Sequence, residues 1–294
     1  MAINGLVVID KPPSCTSHDV VNRWRRLAGI RRVGHLGTLD PMATGVLALL
    51  TGNATRLAQF YGGNDKTYLA EITLGMTSDS YDADGEITLT GAAAPSESDI
   101  RTGMERFRGC FEQVPPPVSA KKIKGTPAYK LARRQQRVEL PPVLVEVKEL
   151  EVRSVIDNRI CATIQCTAGT YIRGIAHDLG QMLGCGAILS SLRRVRSGEF
   201  TIDQAKTLDE LAGLAADGQL DQAIRPAAEL LPHLPSAHVD EMVEAQIRQG
   251  RDFRTSPFVI ASGAPLVKAI SYAGDLIAIG ELKFANTYHP AVVL

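Results

Sequence analysis

Short apolar runs of strand length recur along this chain, and turn residues separate them. Residues 5–10, 46–50 and 66–75 have the composition of buried strands, and residues 143–156 alternate apolar with charged side chains as a half-buried strand does. Residues 160–167 are a suitable antiparallel partner for that strand. Every apolar run is far shorter than the ~20 residues that span a membrane. The pattern therefore predicts a sheet assembled from segments spread over most of the chain.

Segments with helical spacing lie between the predicted strands. Ser17 is a suitable N-cap for a helix whose apolar residues face one side and whose arginines face the other. Gly29 would end this helix. Residues 31–45 are irregular and rich in glycine. Further helices are predicted over residues 54–61, 99–108 and 172–183, and further strand over residues 187–200.

Proline positions divide the chain. Prolines at both ends of a basic stretch predict an insertion over about residues 115–142, which leaves the core and returns to it. Residues 231–235 resemble a linker, and the short apolar runs that follow predict a small β-rich domain over residues 236–294. Residues 1–230 then form the main domain. The predicted class is α+β, with a mixed, largely antiparallel sheet flanked by helices.

The formal net charge is zero, with 32 Lys and Arg against 32 Asp and Glu, and by itself this argues weakly against a nucleic-acid partner. The charges are nevertheless segregated along the chain. Residues 121–137 hold seven basic residues and no acidic one. Such clusters mark either an anionic ligand or a solvated face. Two further basic clusters are Arg23, Arg25, Arg26, Arg31 and Arg32, and Arg193, Arg194 and Arg196.

The cysteines carry no metal-site spacing. None of the five forms a Cys-x2-Cys pair, and no His-x3-His run accompanies them, so we expect no zinc site. An odd number of cysteines fits reduced thiols better than a disulfide framework. The first residues, 1–13, contain no long apolar segment of the kind that targets a chain for export. These observations predict a cytoplasmic protein without contact to a membrane.

The most informative segment is Gly-His-Leu-Gly-Thr-Leu-Asp-Pro-Met-Ala-Thr-Gly, residues 34–45. It is neither a Walker loop nor a dinucleotide-binding fingerprint, because the glycine spacing differs and no Gly-Lys-Ser/Thr follows. Taken alone, Asp40 before Pro41 is explained better by an N-cap with proline at the first helical position. Three further segments carry side chains of possible chemical use: residues 65–68, 115–133 and 169–173.

Together and in this order, the segments resemble those of one family, the TruB family of bacterial tRNA pseudouridine-55 synthases. The resemblance extends from residues 5–12 through 34–41 and 169–173 to 192–194, and it covers nearly the whole chain. It implies the pseudouridine synthase fold, with the insertion acting as an RNA-binding thumb. Residues 276–280 and 288–292 resemble the PUA-like domain that ends many bacterial members, which implies a PUA-like domain over residues 236–294.

The resemblance also implies roles for individual residues. Asp40 matches the catalytic aspartate, and Arg173 matches the arginine that pairs with it. Tyr68 matches the aromatic residue that stacks on the target base. The other residues expected to bind substrate are Tyr171, Leu192, His35 and Lys11. From the basic stretch, we expect contacts to the RNA backbone from Lys121, Lys122, Lys124 and Arg133.

The function implied is isomerisation of uridine to pseudouridine at position 55 in the T loop of tRNA, by a monomer without an obligate protein partner. The reaction moves a glycosidic bond and conserves all atoms, so it requires neither a redox cofactor nor ATP, and we expect no cofactor. Asp40 could act as a nucleophile or as a general base, on the ring or on the sugar, and the sequence leaves these routes open. Two alternative functions remain: a guide-RNA-dependent, dyskerin-like synthase, and a non-catalytic protein that binds or folds tRNA.

Overall fold

The computed structural model describes residues 4–117, 140–256 and 263–294, together with the backbone of two short strands at Lys122–Ile123 and Thr126–Pro127. Most of the predicted insertion lies outside the described residues. The helices are α1 (Ser17–Ala28), α2 (Glu97–Glu105), α3 (Ile172–Met182), α4 (Leu208–Ala216) and α5 (Glu241–Arg248). Single 3-10 turns or short 3-10 helices occupy Gly52–Phe60, Ile202–Gln204, Leu220–Ala223 and Ala227–Glu229.

The strands of the first half are β1 (Gly5–Lys11), β2 (Val33–His35), β3 (Thr44–Thr51), β4 (Lys66–Leu74), β5 (Met76–Ser78), β6 (Ile87–Leu89), β7 (Gly109–Gln113), β8 (Lys122–Ile123) and β9 (Thr126–Pro127). Those of the second half are β10 (Val143–Ile156), β11 (Arg159–Cys166), β12 (Ala187–Ser197), β13 (Phe200–Thr201), β14 (Arg225–Pro226), β15 (Ser236–Val239), β16 (Phe253–Arg254), β17 (Leu266–Ser271), β18 (Leu276–Phe284) and β19 (Thr287–Val293).

A ten-stranded sheet forms the centre of the molecule. Its order is β14-β1-β3-β12-β4-β11-β10-β7, with β2 paired to β3 and β13 paired to β12. Strands β3 and β12 run parallel, and the other neighbouring strands of this sheet run antiparallel. The predicted α+β class and the mixed, largely antiparallel sheet are therefore confirmed.

Alternation along β1 shows how the sheet separates two apolar cores. Val7 and Ile9 face the core beneath helices α1 to α4, whereas Leu6 and Val8 face a second core on the opposite side. Side chains of a strand alternate between faces, so a strand that is apolar throughout must be covered on both sides. This explains why β1 reads as a continuous apolar run.

Helix α1 begins one residue earlier than the sequence predicts. Thr16 is its N-cap: the hydroxyl accepts a hydrogen bond from the Asp19 backbone N–H, and the Asp19 carboxylate accepts one from the Thr16 N–H. Ser17, predicted as the cap, is instead the first helical residue and lies buried. Gly29 ends the helix as predicted, in the left-handed conformation with φ of 65°.

The C-terminal region forms a second sheet in the order β15-β17-β18-β19-β16, in which β15 and β17 run parallel. Ile270 and Ile279 of this sheet pack against Leu57 and Leu230 in the second apolar core. The segment predicted as a linker is part of the same core, because Leu231 is only 1% exposed. The C-terminal sheet is therefore packed onto the large sheet. No helix among the described residues is long and apolar enough to cross a membrane.

Candidate active site

The loop between β2 and β3 is held by buried polar side chains beneath it. The Ser17 hydroxyl donates to the Leu39 carbonyl at 2.9 Å and accepts from the Leu39 N–H at 2.8 Å. Lys11 is fully buried, and its ammonium donates to the carbonyls of Pro12, Pro41 and Ala43 at 2.7–3.0 Å. These bonds fix the backbone on both sides of Asp40.

Arg194 on β12 fixes the same loop from the other side. Its guanidinium donates to the carbonyls of Gly37, Thr38 and Val46 at 2.8–3.4 Å, and the side chain is 1% exposed. At the parallel pairing of β3 with β12, Gly45 lies opposite Arg194, and a Cβ at Gly45 would come within 2.2 Å of the Arg194 carbonyl oxygen. Only glycine permits this approach, particularly at its φ of +99°.

Asp40 emerges from this rigid loop beside Arg173, the second residue of α3. The Arg173 Nε lies 2.9 Å from Asp40 Oδ2, and its Nη2 donates to Oδ1 at 3.3 Å. The side chain of Arg173 is 5% exposed and that of Asp40 is 36% exposed. The two residues are 133 positions apart in the chain. The structure therefore brings together the predicted aspartate–arginine pair, with the carboxylate as the accessible partner.

A second carboxylate, Asp82, holds Arg173 from behind. Arg173 Nη1 lies 3.4 Å from Asp82 Oδ2 and donates to the Ser80 carbonyl at 2.9 Å. Asp82 is 3% exposed, and its Oδ1 accepts from the Ser80 hydroxyl and from the Asp84 N–H. Burial raises the pKa of Asp82, while the hydrogen bond from Ser80 and the charge of Arg173 act in the opposite direction. One guanidinium is thus shared between an accessible and a buried carboxylate.

The turn that carries Ser80 and Asp82 is fastened to α3 by an aromatic stack. Tyr81 has φ of 68°, in the left-handed region that bulky residues rarely adopt. Its ring stacks on that of His177, with centroids 3.7 Å apart and planes 10° apart. His177 follows Arg173 by one turn of the same helix. The stack therefore holds this turn against α3, so that the Ser80 carbonyl and the Asp82 carboxylate remain in contact with the Arg173 side chain.

Asp40 and Arg173 face a cavity of about 430 Å³. Its apolar and aromatic wall includes Tyr68, which is 7% exposed, and Leu192, also 7% exposed. Burial raises the pKa of Tyr68, so the phenol is uncharged near neutral pH. Six of the seven residues predicted to act on or bind substrate line the cavity: His35, Asp40, Tyr68, Tyr171, Arg173 and Leu192.

Two cationic or potentially cationic side chains also line the cavity. His35 accepts a hydrogen bond at Nδ1 from the Gly37 N–H at 3.3 Å. Burial, followed by the charge of Arg194, lowers the pKa of His35, so its imidazole is neutral at neutral pH. Lys66 donates to the Asn64 carbonyl at 2.8 Å, and burial lowers its pKa as well. The guanidinium of Arg173, which also lines the cavity, is matched by the carboxylates of Asp40 and Asp82.

Two expectations need correction. Lys11 is not among the residues that line the cavity: its ammonium donates to three carbonyls and so positions the loop beside Asp40. The third basic cluster is not a free anion-binding face, because Arg194 is buried and Arg193 is paired with Asp10 at 2.7 Å. The expected contacts to the RNA backbone lie on side chains outside the described residues. These are Lys121, Lys122, Lys124 and Arg133.

Sequence reasoning missed Asp82, Ser80 and the structural role of Arg194. Asp82 lies in an acidic segment with Asp79, Asp84 and Glu86, which reads as a solvated stretch. No spacing rule marks one of these acids as buried, since its partner lies 91 residues away on α3. Among the described residues, no group of three or more His, Cys, Asp or Glu could hold a metal ion.

Comparison with known proteins places these residues in a family. The family model described as "TruB family pseudouridylate synthase (N terminal domain)" matches residues 25–172, and the model described as "tRNA pseudouridylate synthase B C-terminal domain" matches residues 173–232. A protein named tRNA pseudouridine synthase B from Solibacter usitatus is 51% identical over 293 residues, covering 99% of this chain and all of the relative. A protein of the same name from an Arthrobacter species is 43% identical over 256 residues, which cover 85% of this chain and 82% of the relative.

Solved structures extend the similarity to the whole fold. A Cbf5-Nop10-Gar1 complex contains a chain that matches with a TM-score of 0.72 and 27% identity, covering 97% of this chain and 83% of that one. A chain of an H/ACA RNP bound to a substrate RNA containing 2′-deoxyuridine matches with a TM-score of 0.70 and 26% identity. The match covers 99% of this chain and 84% of that one. Both similarities include the C-terminal region as well as the large sheet.

Proposed function

The chain belongs to the TruB family of pseudouridylate synthases, and on that premise we propose that it isomerises uridine 55 in the T loop of tRNA, with Asp40 as the catalytic carboxylate. The tRNA substrate is taken from the names of the relatives, which are 51% and 43% identical to this chain. The observation that carries the proposal is the accessible carboxylate of Asp40, fixed in a cavity by the buried Arg173.

The reaction balances within the substrate. The bond from ribose C1′ to uracil N1 breaks, the ring turns, and a bond from C1′ to C5 forms. The hydrogen at C5 leaves as a proton, and N1 gains one. No electrons are exchanged with another molecule. The protein must therefore supply a basic or nucleophilic group at the sugar or the ring, together with a site that holds the detached base.

Asp40 is suited to the first task, whichever atom it attacks. Nucleophilic attack on C1′ or on the ring, and abstraction of a proton from C2′, all require the ionised carboxylate. The two contacts from Arg173 orient the carboxylate. Because Arg173 is itself held by Asp82 and Ser80, Asp40 meets the substrate without first rearranging its partner.

The wall formed by Tyr68 and Leu192 is suited to the second task. The target base must leave its stack in the RNA loop, which costs a few kcal/mol. Stacking of a base on an aromatic ring returns ~1–3 kcal/mol. Tyr68 and Asp40 line one cavity, so a base stacked on Tyr68 presents its sugar to the carboxylate. Tyr171 and His35 complete the lining and are proposed to contact the substrate.

Binding of the RNA backbone is assigned to the insertion and to the C-terminal sheet. Phosphate contacts from Lys121, Lys122, Lys124 and Arg133 would position the tRNA, and the shape of the folded T loop would supply specificity. Residues 1–230 are proposed as the catalytic domain and residues 236–294 as a PUA-like RNA-binding domain. The enzyme is proposed to act in the cytoplasm as a monomer.

Activity of the purified protein on an unmodified tRNA transcript tests this proposal. Chemical mapping should locate one pseudouridine, at position 55, without added protein or RNA. Pseudouridine at another position would refute the assigned target. If pseudouridine formed only after a guide RNA and protein partners were added, the dyskerin-like alternative would be correct. Binding of tRNA without any modification would support the non-catalytic alternative.

A further inference from the structure

Tyr61 belongs both to the catalytic cavity and to the core between the two sheets. It is among the residues that line the catalytic cavity, which Asp40 faces. The residue is only 4% exposed and is part of the second apolar core, to which Ile270 and Ile279 of the C-terminal sheet contribute. Its ring packs on that of Phe200, with centroids 5.6 Å apart. A displacement of Tyr61 would therefore change the wall of the cavity as well as the core.

One carboxylate and one backbone N–H hold the Tyr61 hydroxyl. The hydroxyl donates to Glu199 Oε1 at 2.8 Å, and the Leu231 N–H donates to the Tyr61 oxygen at 3.2 Å and to Glu199 Oε1 at 3.4 Å. Burial, followed by the hydrogen bond to Glu199, raises the pKa of Tyr61, so the hydroxyl keeps its proton and remains a donor. Glu199 lies in the turn between β12 and β13. Three segments that are distant in the chain thus meet in one triangle of hydrogen bonds.

The segment that carries Leu231 is held from both sides. Leu231 is buried and has a φ of 55°, in the left-handed region that leucine rarely adopts. Such a conformation persists only where its surroundings fix it, and the hydrogen bonds of its N–H supply part of that constraint. From the C-terminal sheet, the buried Lys268 on β17 donates to the carbonyls of Ala228 and Leu230 at 2.9 and 3.2 Å. Residues 228–231 therefore connect the C-terminal sheet to a wall of the catalytic cavity.

The charge of Glu199 is matched within the protein. Arg225 lies 3.6 Å from Glu199 Oε2, and its guanidinium carbon lies 5.9 Å from the centroid of the Phe200 ring. The side chain of Glu199 is 17% exposed, so a paired carboxylate is held here largely out of water. Glu199 is not among the residues that line the catalytic cavity, whereas its hydrogen-bond partner Tyr61 is. Glu199 would therefore act on the reaction through Tyr61.

We propose that Glu199 is a positioning residue for the reaction: it holds the Tyr61 ring in the wall of the catalytic cavity and ties that wall to the segment leading to the C-terminal sheet. The inference rests on the proposed function, because its effect is read in the formation of pseudouridine. The detached uracil must stay beside ribose C1′ while it turns, and a misplacement of about 1 Å can lower a rate about 100-fold. Loss of Glu199 should therefore slow the chemical step and leave the affinity for tRNA nearly unchanged.

Glu199→Ala and Tyr61→Phe, made singly and together, test this inference by single-turnover release of tritium from tRNA labelled at uracil C5. Each single variant should lower the rate constant about tenfold, with Kd for tRNA within about twofold of wild type. The double variant should be less than about twofold slower than either one, because both changes remove the same hydrogen bond. Glu199→Gln, whose amide oxygen can still accept from the Tyr61 hydroxyl, should stay within about threefold of wild type. Glu244→Ala is the matched control: it removes a glutamate that is 25% exposed and paired with Arg248 on α5, and it should keep the wild-type rate.

The outcomes separate a positioning role from a purely structural one. If Glu199→Ala lowers Tm but the folded variant keeps the wild-type rate constant, Glu199 only stabilises the fold, the inference is refuted and the proposed function stands. Additive losses in the double variant refute it in the same way. If wild type forms no pseudouridine in tRNA, both are refuted. Should circular dichroism show that Glu199→Ala is misfolded, Tyr61→Phe, which keeps the ring, decides alone: an unchanged rate constant refutes the inference, and a loss of about tenfold at unchanged Kd supports it.

Discussion

Replacing Asp82 by asparagine removes one of the two carboxylates that hold Arg173. Asparagine has nearly the same volume as aspartate, and its carbonyl oxygen can still accept from the Ser80 hydroxyl. The guanidinium keeps its contacts to Asp40 at 2.9 and 3.3 Å and to the Ser80 carbonyl at 2.9 Å. The substitution therefore changes the charge around Arg173 from two carboxylates to one and leaves the cavity wall intact.

The cost in stability should be moderate. Removing one partner of a buried pair costs ~3–5 kcal/mol when the other charge is left unpaired. Here Arg173 retains Asp40, and burial already disfavours the charged form of Asp82, whose pKa is raised. We therefore expect a loss of ~1–3 kcal/mol in the free energy of unfolding, comparable to one charged hydrogen bond.

The effect on catalysis should appear in kcat. Without the Asp82 carboxylate, Arg173 loses one of the contacts that set its position, so we expect the orientation of the Asp40 carboxylate to change. A penalty of ~1.4–2.8 kcal/mol on the transition state lowers kcat by about 10- to 100-fold. The affinity for tRNA should be nearly unchanged, because Asp82 is 3% exposed and does not line the cavity.

The assay is single-turnover release of tritium from tRNA labelled at uracil C5, run beside filter binding. Asp84→Asn is the matched control, since Asp84 is exposed and contacts Asp82 only through its backbone N–H. Wild-type kcat in Asp82→Asn would refute the claim that Asp82 positions Arg173. Weakened tRNA binding with unchanged kcat would assign Asp82 to the RNA interface instead.

The pH dependence should carry the same signature. Because its pKa is raised by burial, Asp82 takes up a proton at a higher pH than an ordinary carboxyl group does as the solution is acidified. Its charged form is needed for activity, so kcat of the wild type should fall in that window. The folded state binds this proton before the unfolded chain does, so Asp82 does not cause loss of stability there. Asp82→Asn should lack this step in kcat.

Three further predictions concern the base, the backbone and the C-terminal sheet. Tyr68→Leu keeps an apolar side chain but removes the stacking ring, so kcat/KM should fall about 10- to 100-fold; an unchanged value in steady-state assays would mean that Tyr68 does not contact the base. Exchanging Lys121, Lys122 and Lys124 for glutamine should weaken tRNA binding and reduce the salt slope by about 0.7 per lost contact in titrations; an unchanged slope would place these lysines in solvent. Deleting residues 236–294 exposes the apolar core around Leu57, so Tm by circular dichroism should fall by more than about 5 °C, and in any fraction that stays folded KM should rise more than kcat falls. An unchanged Tm would contradict the packing of the two sheets.

Much of the fold follows from local patterns, because its strands are continuous apolar or alternating runs. The central strands were predictable to within a few residues, and Gly29 ends α1 as its position indicates. The resemblance of short motifs also led to Asp40 and Arg173, which the structure places in contact.

Other features depend on tertiary packing and leave no local mark. Asp82 and Arg194 look like surface charges in the sequence, but each is buried against a segment that is distant in the chain. Lys11 looks like a substrate ligand, yet three carbonyls of the loop beside Asp40 occupy its ammonium. The elements that pack over such a side chain decide whether it is buried. The residues next to it in the sequence do not indicate which elements those are.

The central claim is that Asp40 performs the chemistry in a site that binds RNA independently of it. Asp40→Asn tests this claim, because asparagine preserves the shape of the side chain and lacks the charge that a nucleophile or base requires. The variant should bind tRNA within about tenfold of wild type, equivalent to ~1.4 kcal/mol. Mapping of the T loop after a long incubation with excess enzyme should detect no pseudouridine. Pseudouridine formed by the variant at a rate near that of wild type would contradict the account.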